Sequence, residues 1–227
     1  MRPPARLRQH LPPRGRTGAL VTWLTLLKLC AAHSATLVIH VQTADGHALA
    51  GAVVTARPLD GPARHAPPQH AVMDQVNRAF EPDLLVIAVG STIQFPNSDS
   101  VSHQIYSFSP AHRFQLPLYR GEPYPPVLFE QAGVVTLGCN IHDEMLAYVL
   151  VTDAPYFGRT DADGAWSAEV AHGRYRVALW HPRLRDAGSD LERELTVNES
   201  DRAELTLRLQ KPLQPAPLTG RPHSWDY

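Results

Sequence analysis

Proline is spread through this chain more densely than long helices allow: 21 of 227 residues. Inside a helix a proline removes a backbone hydrogen bond and clashes with the carbonyl four residues back. The segments between prolines carry strand signals instead. β-branched or alternating runs at 36–42, 51–57, 71–80, 83–89 and 92–95 are parted by turns such as Asp45-Gly46 and Gly90. Similar runs follow at 103–108, 127–130, 134–139, 146–152, 166–170 and 175–180, and 191–197 with 203–209 reads as a last pair. With 44% hydrophobic residues there is apolar surface enough for a core. Short strands at this spacing predict an all-β chain, an antiparallel sandwich or barrel.

The ends differ from the body. The first 35 residues hold six basic residues (Arg2, Arg6, Arg8, Arg14, Arg16 and Lys28) and no acidic one. A short apolar run from Gly18 to Ala32, broken by Lys28, ends in the small residues Ser34 and Ala35. Basic start, short apolar core and small residues predict a secretory signal over 1–35 and an exported, periplasmic protein. An uncleaved signal would hold the protein at the membrane, whereas a lipid anchor on Cys30 is disfavoured by the bulky Lys28-Leu29 before it. The remainder carries 15 basic residues against 22 acidic, a net charge of −7, which argues against nucleic acid as a partner. The proline-rich segment 211–227 has no periodicity and is expected to be disordered.

Cleavage near Ala35 leaves Cys139 as the last cysteine, and a lone thiol in an oxidising compartment cannot form an internal disulfide. Its neighbours suggest another use. Leu137-Gly-Cys-Asn-Ile-His-Asp-Glu-Met145 places a thiol, an imidazole and a thioether within seven residues at the end of an apolar run. A further imidazole, His103, closes the loop 97–103 and could be brought to the same end of a sandwich. Two His, one Cys and a distant Met are the donors of a blue-copper site. Structural zinc would want more Cys or His in place of Met145. A thiol nucleophile could use Cys139 and His142, leaving His103 and Met145 idle. With twelve histidines, proximity by chance also stands as an alternative. Asp161-x-Asp163-Gly164 lacks the later acidic positions of a calcium loop and reads as a hairpin turn.

Two stretches resemble the cupredoxins. Phe80-x-Pro82 through Val86, Gly90, Phe95-Pro-Asn97-x-Asp99 to His103 is similar to their first half. Val134-x-x-Leu-Gly-Cys139-x-x-His142-x-x-Met145 is similar to their second, and its short loop is like that of amicyanin. The resemblance covers about 70–154 and implies a Greek-key β-sandwich binding one mononuclear type 1 copper through His103, Cys139, His142 and Met145. Where many cupredoxins tie their two ligand loops with an Asn after the first His, this chain has Gln104. The stretch around Cys139 also resembles exported proteins labelled as methylamine-utilisation proteins. Segments 36–60 and 156–210 resemble a carboxypeptidase-regulatory-like β-sandwich, into which the copper domain would be inserted.

The resemblance implies a one-electron carrier and no enzyme. Multicopper oxidases need His-x-His pairs, and no two histidines here stand two apart. The expected partner is a redox protein, a cytochrome or a dehydrogenase. The alternative function is a copper-storage or interaction module, for which His65 and His70 in a Pro-rich loop are further candidate donors.

Overall fold

Alternation along the first strand decides where it sits. Ala35, Leu37, Ile39 and Val41 stand at every second position and are all buried, while Thr36 and His40 between them are not. The computed structural model describes residues 34–121, 124–184, 191–199 and 202–216, so the expected signal segment lies outside the described residues apart from Ser34 and Ala35. Among the described residues there is no α-helix, and no helix long and apolar enough to cross a membrane.

The chain opens with β1 (Ser34–Gln42) and β2 (Val53–Pro58). Ten strands follow: β3 (His70–Val72), β4 (Asp74–Val76), β5 (Ala79–Glu81), β6 (Leu84–Ala88), β7 (Ser91–Gln94), β8 (His103–Ser109), β9 (His112–Tyr119), β10 (Val127–Phe129), β11 (Gly133–Gly138) and β12 (Leu146–Thr152). It closes with β13 (Tyr156–Arg159), β14 (Ala165–Ala171), β15 (Gly173–Trp180), β16 (Glu192–Val197) and β17 (Arg202–Arg208).

The first two and last five strands make two sheets, ordered β14-β1-β17 and β13-β2-β15-β16. They enclose a core of Leu37, Ile39, Val54, Ala56, Tyr175 and Val177. We call this the outer sandwich. The strands between make an inner sandwich from a five-stranded sheet, β6-β12-β11-β8-β9, and a three-stranded one, β10-β7-β3. Its core includes Met73, Ile93, Phe95, Ile105, Phe129, Val135 and Leu137. The β4–β5 hairpin stands apart as a two-stranded unit. Where the sandwiches meet, Val53, Leu84 and Leu150 are buried together, and the Tyr148 and Trp180 rings meet edge to face at 5.6 Å.

The structure revises several expectations. Strands 191–197 and 203–209 are not a pair: β16 lies beside β15, whereas β17 runs parallel to β1 in the opposite sheet. The run 71–80 is not one strand, because Asn77 and Arg78 take left-handed φ of 52° and 59° and turn β4 back as β5. The strands β9 and β13 are additional. β9 carries Pro117 and is an edge strand with an irregular register opposite His103–Ile105, where a missing N–H is tolerated. The expected disorder of 211–227 fails for its first residues. Leu213 packs on the outer core, the Gln214 N–H donates to the Arg183 carbonyl at 2.8 Å, and Arg183 Nε donates to the Gln214 carbonyl at 2.6 Å. The Asp161 carboxylate accepts the N–H groups of Asp163 and Ala165, as a turn requires. Gly164 there has φ +71°, and a Cβ would stand 2.6 Å from the Val41 carbonyl oxygen.

Candidate metal centre

The loop 139–145 has a closed neck. β11 and β12 are antiparallel neighbours, and Gly138 pairs with Leu146, so the seven residues between them leave and re-enter one sheet side by side. Inside the loop the Met145 N–H donates to the His142 carbonyl at 3.0 Å, a turn that holds His142 over the strand ends. Gly138 is required by a close approach from β8: a Cβ there would lie 2.8 Å from both Cζ and the hydroxyl of Tyr106. His103 is the first residue of that same strand, so pairing of β8 with β11 brings its imidazole to the end of the sheet where Cys139 emerges.

Three donor atoms meet there. Cys139 Sγ lies 3.9 Å from His103 Nδ1 and 4.0 Å from His142 Nδ1, and the two nitrogens are 3.2 Å apart. A point equidistant from three atoms so spaced is about 2.2 Å from each, the length of a metal bond to nitrogen or sulfur. The triangle fits one transition-metal ion. His103 and Cys139 are fully buried and His142 is partly exposed, so one edge of the site faces solvent. Among the described residues, no other group of three His, Cys, Asp or Glu donors converges in this way. The candidate histidines of the Pro-rich loop are elsewhere and exposed, His65 against the Asp153 carbonyl and His70 against the Thr92 hydroxyl.

Met145 is buried in the same apolar cluster as Cys139, three residues beyond His142. That cluster also holds Ile105, Leu137 and Phe95, so the Cys139 side of the triangle is apolar.

The polar side is built by residues to which the sequence reading gave no role. His103 Nε2 donates to Asp99 Oδ2 at 2.9 Å. A carboxylate only accepts, so the hydrogen is on Nε2 and the lone pair of Nδ1 faces Cys139 and His142. Burial works against the Asp99 charge, but His103 and the N–H groups of Arg78 and Ser100 outweigh it and hold the carboxyl at about 2. Burial pushes His142 down from its ordinary value, and the nearby His103 and Arg78 add to that. Asn97 ties the loop that leads to His103 to itself and to β9. Its amide donates to the Val101 and Tyr119 carbonyls at 3.0 and 2.9 Å and its oxygen accepts from the Asp99 N–H. Buried Gln75 completes the wall, donating to the Pro96 carbonyl and to the Tyr119 hydroxyl, which itself donates to the Phe95 carbonyl. The spacing Asn97-x-Asp99-x-x-x-His103 was the available signal: polar residues six and four positions before a candidate donor.

No protein-family model matches this chain, and no curated protein matches it. Solved structures do. A purple cupredoxin from Nitrosopumilus maritimus is 26% identical over 36% of this chain and 99% of its own, with a TM-score of 0.33. A reduced amicyanin variant is 20% identical over 43% of this chain and 99% of its own, with a TM-score of 0.33. These are solved structures to which part of this chain is similar. A Cu-containing nitrite reductase from Thermus scotoductus SA-01 is 25% identical over 42% of this chain, with a TM-score of 0.35, and only 25% of that enzyme is spanned. Each of these similarities spans less than half of this chain.

Proposed function

We propose that this protein is an exported type 1 copper protein that carries single electrons between redox proteins. The observation that supports it is the buried triangle of Cys139 Sγ, His103 Nδ1 and His142 Nδ1 with a common point at bonding distance. In this reading Met145 would add a weak thioether donor, one that suits copper and not structural zinc. Bound copper would supply reversible one-electron chemistry.

The protein's own residues do the rest. The closed neck at Gly138 and Leu146 and the hydrogen-bonded wall of Asn97, Gln75 and Tyr119 keep the donors in one arrangement, so little moves when the charge of the site changes. Burial of Cys139 and His103 excludes water and competing reagents, which also argues against Cys139 as an enzyme nucleophile. The partly exposed His142 is the way out for the electron, beside exposed Ile141 and the acidic Asp143, toward a cytochrome or dehydrogenase partner.

The test is optical. Metal-free protein titrated with Cu(II) should turn intensely coloured with one ion per chain, and the colour should bleach and return on reduction and reoxidation. Cys139→Ser should abolish it, because sulfur-to-copper charge transfer is its source. Tight binding without reversible reduction would mark a copper store instead, and no colour would end the type 1 reading.

A further inference from the structure

Asp99 stands directly behind the donor triangle, on the far side of His103. Its side chain is 9% exposed, and its two oxygens are fully engaged. Oδ2 accepts from His103 Nε2 at 2.9 Å and from the Arg78 N–H at 2.7 Å, while Oδ1 accepts from the Ser100 N–H at 2.6 Å. The Arg78 N–H is aimed there by the left-handed turn at Asn77 and Arg78, which ends the β4–β5 hairpin. The other side of that hairpin is tied to the same loop, since Asp74 accepts from both the N–H and the hydroxyl of Ser98. A carboxylate is thus clamped from three sides against a metal-facing imidazole.

We propose that Asp99 is a positioning residue that sets the reduction potential of the centre, its fixed negative charge holding His103 with Nδ1 bare and favouring Cu(II) over Cu(I). The inference rests on the copper reading above. A carboxylate that takes the imidazole N–H raises the basicity of the opposite nitrogen and fixes the ring's orientation. A neutral acceptor would orient the ring equally well without adding charge. In a buried setting the added charge is only weakly screened, and it acts more strongly on the ion of higher charge.

Asp99→Asn separates the two effects, because its amide oxygen can still accept from Nε2. Loss of such a partner costs about 10–100-fold in metal affinity. A tenfold loss felt by Cu(II) and not by Cu(I) raises a one-electron potential by about 59 mV. The expected result is a coloured Asp99→Asn protein with a potential raised by about that much, and Asp99→Glu returning toward the parent value. A coloured Asp99→Asn protein with an unchanged potential would overturn the proposal and leave the copper reading standing. A parent protein that never colours with Cu(II) would overturn both. If Asp99→Asn fails to fold, nitrogen-15 NMR of the metal-free parent decides. His103 with its hydrogen on Nε2 supports the clamp, and His103 with its hydrogen on Nδ1 overturns it.

Discussion

Deleting the end of the chain in two steps measures what the described part of the tail contributes. Compare the full chain with versions ending at Ala216 and at Gln210. The second step removes Leu213 from the outer core, the backbone hydrogen bond from Gln214 to Arg183, and the bond from Arg183 Nε back to the Gln214 carbonyl. Half-burial of a leucine stabilises by about 1–1.5 kcal/mol. A backbone hydrogen bond adds about 1 kcal/mol and an exposed guanidinium bond about 0.5–1 kcal/mol. The step from Ala216 to Gln210 should therefore cost about 3 kcal/mol, a fall of about 6–12 °C in Tm for a protein of this size. Thermal unfolding followed by circular dichroism reads this directly, with Leu213→Ala in the full chain giving about a third of the loss. Equal melting of the two truncated versions would refute the packing argument and restore the tail as an inert appendage.

Three further outcomes follow from the site and its surroundings. His142→Gly opens a donor position at the partly exposed edge, so added imidazole should restore part of the colour. The same treatment of His103→Ala should restore far less, because that position is fully buried, and equal recovery would contradict the assigned burial. Met145→Leu should keep the colour and raise the reduction potential, since an axial donor favours Cu(II); voltammetry showing no change would remove Met145 from the ligand set. For acid stability of the metal-free protein, burial and then the charges of Arg183 and Arg159 push His181 down to about 4, against an ordinary 6.5. Between those values the unfolded chain binds a proton that the folded one does not, so stability falls as pH drops from 6.5 to 4. His181→Gln should flatten that decline in urea midpoints, and an unchanged slope would show that His181 is not its source.

The strands were largely legible because one face of each is buried, and burial imposes a period of two on residues such as Leu37, Ile39 and Val41. The run 146–152 was read at its observed bounds. Pairing was not legible. β16 and β17 look alike as neighbours in sequence, yet they enter different sheets, and nothing in either strand's own residues records which partner lies beside it. β9 was hidden by Pro117, which signals a break unless the strand is known to be at an edge. At the centre, His103, Cys139 and His142 were readable because donor types recur at short spacing beside an apolar run. Asp99, Asn97 and Gln75 were not, since each acts through a hydrogen bond whose other end lies on another part of the fold. Acidic and amide residues in a turn are otherwise explained by the turn itself.

The placement of β1 has a consequence for the time at which the fold can close. Ser34 pairs with Ala171 and Thr36 pairs with Arg202, so the first described strand has both of its neighbours at the other end of the chain. The metal loop needs only Gly138 to meet Leu146. On a ribosome moving at about 5–20 residues per second, about 160 residues separate the end of β1 from the start of β17, a delay of roughly 8–32 s. Until β14 emerges late in that interval, Leu37, Ile39 and Val41 have no sheet to enter, whereas the inner sandwich has all of its strands once residue 152 is made. The candidate metal centre can be finished first, and the strand that opens the fold is the one most in need of a holding partner until β14 and then β17 arrive.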